Sequence, residues 1–443
     1  MLVFICIVKS YFVFIFLSKL DLLIISIEAS LKILLLTQWF DPEPTFKGLL
    51  FAKALQARGH EVEVITGFPN YPGGKVYDGY RMRWLQREQI DRVQVNRVPL
   101  YPSHNGSAIK RIFNYISFCV TATIFGIFSA KKADVIYVYH PPLTVGMAGA
   151  VIGFFRRTPF VYDIQDLWPD TLKATGMLTN DRALSVVAGV CNWVYKRANH
   201  LVVLSPGFKR RLIERGVPES KLTVIYNWCD EPSLESNHKL DSGVLPDGFN
   251  VVFAGNMGHA QALDTVLDAA ELVAKSNSQI NFVLVGSGIQ EAALKGLVVE
   301  RELLNVHFIP RMPMSKVGAL LRSADALLVH LKKDKLFDIT IPSKLQAYMA
   351  IGRPIIMAVD GDAATLVNEA DCGVCCESQN SQALAQQVLL LEGLSSQELL
   401  DMGGNAKSFY RNELSLDVGC NRFLHLFNNI LSKKYSGRYE KNI

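Results

Sequence analysis

The sequence predicts an α/β protein built from two Rossmann-like, doubly wound domains that face each other across a cleft. Three observations carry this. From residue 31 onward, short apolar runs alternate with amphipathic helical stretches, which is the pattern of βαβ units and a parallel sheet. At 229–248 the polar stretch CDEPSLESNHKLDSGVLPDG, punctuated by Pro and Gly, interrupts the alternation, which then restarts. The length of 443 residues suits two such units, and ligands of such sheets sit outside the carboxyl ends of the strands.

In order along the first half, strands are predicted at 32–37, 61–66, 93–98, 135–139, 160–163, 201–204 and 223–226. A helix over 46–57 is closed by Arg58 and Gly59, since glycine is the common helix stop. In the second half the order is strand 250–254, helix 262–274, strands 281–285 and 306–309, helix 314–323, strand 326–330, helix 343–350 and strand 354–359. The expected division is an amino-terminal extension at 1–30, a first domain at 31–228, a linker at 229–248, a second domain at 249–412 and a carboxy-terminal helix and tail at 413–443 that returns to the first domain.

Composition removes several classes. Hydrophobic residues make up 49% and charged ones 20%, which excludes a disordered chain. A formal net charge of +5 without a long Lys/Arg block gives no basis for nucleic acid as partner. Eight cysteines lie scattered, without a disulfide framework, which fits a reducing compartment. Cys372, Cys375 and Cys376 lack a second ligand pair and read as small apolar residues of a late strand rather than a metal site.

Two apolar segments stand apart. Residues 1–30 are broken by Lys9, Lys19 and Asp21 into runs shorter than the roughly 20 residues of a membrane span, and they show no cleavage site. Leu31 can be encoded by TTG, a bacterial start codon, so the extension is expected to be a mis-assigned start or dispensable rather than an anchor. Residues 108–130, AIKRIFNYISFCVTATIFGIFSA, are apolar almost all round, with Lys110 and Arg111 at one end and Lys131 and Lys132 beyond the other. This reads either as a buried helix or as a helix lying on anionic headgroups.

The chemistry concentrates at strand ends of the second half. In FDITIPSKLQAYMAIGRPII, Pro342 opens a helix and frees the N–H groups of Ser343, Lys344 and Leu345. Oriented donors, a positive dipole end and a full charge make a phosphate site. Asp338 and Thr340 lead in, and Gln346 follows close enough for its amide to meet a hydroxyl-rich ligand, so the set suits a sugar attached to a diphosphate. An ordinary capped helix with a surface lysine is the plain alternative. Gly255 and Asn256 after one strand, and Gly286 and Gly288 after the next, let backbone amides approach a ligand closely.

Taken together, the GN loop, VGSG, FIPRMP and PSKLQAYMAIGRPII resemble the carboxy-terminal half of the GT-B glycosyltransferases of family 4. WFDPEPTFKGLLFAKALQARGHEVEVITGFPNYPGGKVYDGY and FVYDIQDLWPDTLKATG are similar to the sub-group that builds bacterial O-antigen, capsule and slime polysaccharides, and the likeness covers residues 31–430. The resemblance implies an enzyme, a hexosyltransferase, that retains anomeric configuration, needs no cofactor or metal, and takes a nucleotide-diphosphate sugar. A UDP-sugar is favoured, and N-acetylfucosamine is the type the sub-group points to. The implied acceptor is a polyprenyl-diphosphate-linked saccharide, with the enzyme peripheral on the cytoplasmic face of the plasma membrane.

Residue by residue, Asp338 and Gln346 occupy the places of two family glutamates, the first on donor-sugar hydroxyls and the second on the ribose. Asn256 replaces an arginine, and Gln261 stands near a lysine position. The phosphate charge therefore falls to Lys344, the helix end and Arg311. In the first half, DPEPTF replaces a glycine pair, so the amides of Thr45 and Phe46 would serve the donor phosphate. On the acceptor side stand the long loop containing Tyr71 and the segment DIQDLWPD. There Asp163 and Asp166 flank Gln165, which stands where many relatives carry histidine. Asp166 is the candidate for orienting or deprotonating the acceptor hydroxyl, and Trp168 for a flat face under a sugar ring. His140 is expected to brace a loop.

Two other classes share the evidence. A UDP-sugar 2-epimerase would isomerise donor alone. A non-catalytic assembly protein, prompted by the lost family cations, would release no nucleotide with any acceptor. A dinucleotide oxidoreductase is excluded, since LLLTQWFDPEP lacks the required glycine spacing.

Overall fold

The structure, a computed structural model, describes residues 30–103, 108–235, 243–276 and 279–439. The apolar extension, apart from its last residue, and the middle of the predicted linker lie outside the described residues. Strands β1 (Lys32–Leu36), β2 (Glu61–Gly67), β3 (Gln86–Ile90), β4 (Val93–Val98), β5 (Val135–Tyr139), β6 (Phe160–Ile164), β7 (His200–Val203) and β8 (Leu222–Val224) form the first sheet. Its order among the described residues is β3-β4-β2-β1-β5-β6-β7-β8, and only β3 runs antiparallel. The second sheet holds β9 (Phe249–Asn256), β10 (Ile280–Ser287), β11 (Val306–Pro310), β12 (Ala326–His330), β13 (Ile355–Ala358) and β14 (Gly373–Cys375), ordered β11-β10-β9-β12-β13-β14 and parallel throughout. Central strands such as β5, β6 and β12 are buried along their whole length, as strands covered by helices on both faces must be.

Strand order reverses between β1 and β5 in one sheet and between β9 and β12 in the other. Loops that follow these strands diverge and leave a crevice, so both switch points are prepared ligand positions. The doubly wound prediction thus holds. Sequence reading passes over β3 because QREQI has no apolar run; it is a polar edge strand with alternating half-exposed positions. The first helix begins at Leu49 rather than 46, because Asp41 Oδ2 takes the Leu49 N–H (2.7 Å) and holds the preceding residues in a turn.

Part of the predicted linker is ordered packing. Asp230 caps a helical turn at Glu231–Leu234, Leu234 is buried, and Arg322 donates to its carbonyl (2.6 Å). The Glu231 carboxylate accepts from the Tyr410 hydroxyl (2.7 Å) and the Leu416 N–H (2.9 Å), pinning the outgoing chain beside the returning one. The helix Leu416–Tyr439 then lies on the first domain, with Phe423 5.2 Å from Phe51 and 5.3 Å from Tyr137, and Asp417 paired with Arg58.

Helix Ala108–Phe128 is buried on one face and exposed on the other, so it is not the wholly buried helix of the first reading. Phe118, Ala122 and Phe125 are buried in the core, while Ile109, Ile112, Phe113, Ile116, Val120 and Ile124 are exposed at helical spacing. Phe154 and Phe155, at the end of the neighbouring helix Leu143–Arg156, are exposed too.

Candidate active site

The Ser343–Ile351 helix starts at the second switch point. Pro342 is its cap residue, extended at φ −62° and ψ 135°, rather than the first helical residue, and Gly352 ends it in the left-handed region at φ 77°. Tyr348 ties the helix to β9 by accepting the Ala254 N–H (2.9 Å). Lys344 reaches back across the end of β9, with Nζ 3.8 Å from the centroid of the Phe253 ring. Gly255 is required beneath it: φ is +149°, and a Cβ would meet Lys344 Cε at 2.5 Å. At Gly286 a Cβ would strike the Gly255 carbonyl at 2.0 Å, so the glycines of the two strand ends pack backbone on backbone, and Gly288 lies as closely against Met257.

Burial pushes the Lys344 amine down to about 7, and no carboxylate pairs with it among the described residues. Its neighbour His330, at the end of β12, gives its Nδ1 proton to the Gln261 carbonyl (2.7 Å) and is kept neutral by burial; its buried Nε2 has no partner among the described residues. Asp338 and Thr340 lie half-buried in the entering loop. Thr340 Oγ1 donates to the Leu336 carbonyl (2.7 Å). The Asp338 carboxyl is pushed up by partial burial and by the nearby charges of Asp360 and Asp334, with Lys333 opposing. Asn256 is exposed at the end of β9.

Two second-domain expectations change. Gln346 is 2% exposed, and the orientation that satisfies its neighbours has its amide nitrogen donating to the Pro342 (2.9 Å) and Ser343 (3.1 Å) carbonyls, so it is committed to its own helix rather than offered to a ribose. Arg311 is exposed beyond β11, the outermost strand, with β10 between that strand and the strand end under Lys344, so its backbone lies two strands away from the expected phosphate position.

Facing loops of the first domain gather at the other switch point. A carboxylate braces the loop that follows β1. The buried Glu43 accepts N–H groups from Phe40 (3.3 Å), Asn70 (2.7 Å) and Tyr71 (2.8 Å), and burial still holds its carboxyl up at about 7. Tyr71 stacks on Trp39 at 4.8 Å, and Tyr115 of the Ala108 helix meets Trp39 edge-on at 6.5 Å. Thr45 lies half-buried in the β1 loop, close to the Tyr139 hydroxyl. Asp166 sits near Tyr115 and Tyr139, and burial alone raises its carboxyl to about 6. Its backbone N–H donates to His140 Nδ1 (3.4 Å), which is the bracing expected of that histidine.

Asp163 and Trp168 are corrected. The Asp163 side chain is wholly enclosed and held by Lys47 (2.6 Å), Tyr137 (2.6 Å) and Gln165 (2.6 Å), so it cannot meet an acceptor. Trp168 stands edge-on to His140 at 5.5 Å and packs on the main core. Trp39 and Tyr71, both half-buried, form the aromatic pair nearest the Glu43 loop. Trp39 had a sequence signal, an aromatic just beyond the first strand; Lys47 and Glu43 had none that separates them from surface charges.

The domains meet beside these loops. Ser205 Oγ donates to the Ile339 carbonyl (2.5 Å), and the buried Asp362 accepts from Gly207 N (2.5 Å) and Arg210 (2.8 Å), both of helix Pro206–Glu214. A cavity of about 470 Å³ opens there, lined by Leu167, Asp170, Arg210, Asp334 and Ile339, so it adjoins both the Asp166 loop and the Asp338 loop. A larger one of about 550 Å³ lies at the opposite edge of the first sheet, around Lys32, His60 and Glu61.

Residues 49–228 match the family described as the glycosyl transferase 4-like domain, and residues 238–409 match the glycosyl transferases group 1. The chain is 27% identical over 387 residues to the putative colanic acid biosynthesis glycosyl transferase WcaI of Escherichia coli K12, covering 82% of this chain and 93% of the relative. It is 24% identical to the probable glycosyltransferase WbjE of Pseudomonas aeruginosa, over 73% and 81% of the two chains. Among solved structures, HepE of Anabaena in complex with UDP and glucose superposes with a TM-score of 0.62 at 18% identity, covering 90% of this chain and 99% of HepE. Paired parallel sheets, strand-end loops that face a shared cleft and the match of both halves lead to one assignment: the chain belongs to the GT-B glycosyltransferases of family 4.

Proposed function

We infer that the protein transfers a sugar, with retained anomeric configuration, from a UDP-sugar of the N-acetylfucosamine type to a polyprenyl-diphosphate-linked saccharide in the assembly of a bacterial surface polysaccharide. The observation that carries this is the Lys344 amine, half-buried at a helix start over the Phe253 ring, with no carboxylate partner among the described residues. A cation held this way is completed by an anionic ligand, and the diphosphate of a nucleotide sugar fits the neighbouring amides of Ser343 and Lys344; the Leu345 N–H, expected to join them, is committed to the Pro342 carbonyl (2.9 Å). The UDP in HepE and the colanic acid named for WcaI support the donor and the pathway class.

In the reaction the bond from the anomeric carbon to the diphosphate oxygen breaks, and the acceptor hydroxyl adds from the same face. Its proton passes to the departing phosphate. Charge grows on the leaving group, so Lys344 and the helix end stabilise the transition state more than the ground state. They supply the positive potential, and the reading requires no metal. Asp338 holds the donor sugar, while Asp166 orients the incoming hydroxyl over the Trp39–Tyr71 face.

The two shifted groups set an expected pH profile. Asp166 acts as carboxylate, so kcat/KM rises as pH passes about 6. Lys344 acts as ammonium, so kcat/KM falls as pH passes about 7. Because kcat/KM reports the free enzyme, the basic limb should move upward in kcat, where bound diphosphate restores the lysine charge. Rate profiles of both parameters between about pH 5 and 9 check this. A flat kcat/KM across that range would remove both assignments.

The exposed apolar face of the Ala108 helix, with basic Lys110 and Arg111 at its start, is the surface this reading lays on the cytoplasmic leaflet. Tyr115, on the inner side of that helix, brings the acceptor site to the same edge. Ile112→Asp combined with Ile116→Asp is expected to abolish co-sedimentation with anionic vesicles while leaving turnover of a short-chain, water-soluble acceptor intact. Equal sedimentation of the variant and the unaltered protein would reject the surface.

The reading as a whole is tested by product analysis with UDP-, GDP- and dTDP-sugars and lipid-linked acceptor. It expects an acceptor-dependent glycoside with released nucleotide. Isomerised donor without acceptor would favour an epimerase, and no nucleotide release with any pair would favour a non-catalytic role.

A further inference from the structure

Beneath the acceptor loop lies a pair of charges that the transfer reading leaves unused. Lys47 Nζ is 2.6 Å from Asp163 Oδ2, and both side chains are 0% exposed. The ammonium also lies 5.4 Å from the Trp228 ring and 5.0 Å from the Phe423 ring, so the interdomain crossing and the returning carboxy-terminal helix enclose it. The Tyr137 hydroxyl donates to the same carboxylate oxygen (2.6 Å). The other oxygen accepts from Gln165 Nε2 (2.6 Å), and Gln165 Oε1 accepts from Asn227 Nδ2 (2.6 Å). Asn227 follows β8, where the chain leaves the first domain.

Stability does not explain such a pair. Removing two charges from water is offset only by good geometry, and a buried pair can be replaced by apolar residues at little or no loss. What it does here is fix an orientation. The Asp163 carboxylate only accepts, so the Gln165 amide turns Nε2 to it and Oε1 to Asn227, which follows by presenting Nδ2. On the other side of the 165–166 peptide, the Asp166 N–H is tied to His140. The two ties straddle the bond that aims Asp166. An asparagine at 163 would turn an N–H toward a donor, and a neutral residue at 47 would leave Asp163 a buried lone charge. The chain therefore works as a unit.

We propose that Lys47, Asp163, Gln165 and Asn227 form a positioning chain that sets the Asp166 carboxylate and links it to the interdomain crossing. It rests on the reading of Asp166 as the residue that orients the acceptor. None of the four is a catalytic residue: the first two are sealed from substrate, and they act through Gln165.

The test combines Lys47→Met with Asp163→Leu, which removes both charges together, and sets it beside Gln165→Met and Asn227→Ala in the full chain. Each is expected to lower kcat by about 10- to 100-fold with donor KM within about threefold, the signature of misaimed rather than missing groups. The acid limb near pH 6 should shift, which a purely structural role would not produce. Adding Gln165→Met to the double variant should bring little further loss, because the effects share one route. If the double variant melts like the unaltered protein and keeps kcat within about threefold, or if the losses multiply, the proposal is overturned. Should the double variant fail to fold, Gln165→Met and Asn227→Ala decide by the same criteria. Asp166→Asn separates the two layers. If that variant keeps its activity, the acceptor reading fails and the proposal falls with it. If it is inactive while the chain variants are unimpaired, only the positioning proposal fails.

Discussion

Lys344→Ala is expected to lower kcat by about 10²- to 10³-fold, the scale set by losing one aimed electrostatic donor in a water-poor site. Two features argue for so large an effect in this chain. Asn256 and Gln261 carry no charge and Arg311 follows the outer strand, and among the described residues burial is the one influence on the Lys344 amine, with no second charge beside it. The amine also sits over Phe253 in a depressed-pKa setting, where charge is poorly screened. The same residue should weaken the unliganded fold. Its amine titrates near 7 instead of 10.5, so the folded state resists a proton that the unfolded chain accepts. That penalty is complete below about pH 7 and disappears as pH rises through 10.5. Lys344→Met is therefore expected to melt higher than the unaltered protein at neutral pH while losing activity. Steady-state rates and thermal melts on one preparation check both halves.

Asp166→Asn is expected to lower kcat by about 10²-fold or more, with donor affinity little changed. Asparagine keeps the shape, and the tie to His140 uses the backbone N–H, so the loop should hold its course. Only the charge facing the acceptor hydroxyl is removed. Titration with UDP should give the same affinity for both proteins, and single-turnover transfer should carry the loss. A variant with full transfer rate would reduce Asp166 to a loop residue.

Much of this is legible in the sequence itself. Alternating apolar runs give the strands other than polar β3 and short β14, where only the cysteines pointed to a late strand, and the Gly255 and Gly286 positions mark strand ends because a backbone that must come close leaves glycine in the sequence. Pro342 and Lys344 mark a helix start for the same kind of reason: local chemistry is written locally. What escaped was long-range. Asp163 and Lys47 are 116 residues apart, and neither neighbourhood records that both turn inward to meet. The family resemblance implied a ribose contact for Gln346, yet its amide turns back to its own first turn. Trp168 had the expected ring, but His140 and the core already occupy it.

The central claim is that the start of the Ser343 helix, with Lys344, receives the diphosphate. Calorimetric titration with UDP at about pH 8, in buffers of different ionisation enthalpy, addresses it directly. Free Lys344 is mostly neutral there, and a bound diphosphate should recharge it. The account predicts uptake approaching roughly one proton per UDP bound, lost in Lys344→Met together with at least about tenfold in affinity. Binding of equal strength in the two proteins, with no difference in proton uptake, would contradict it.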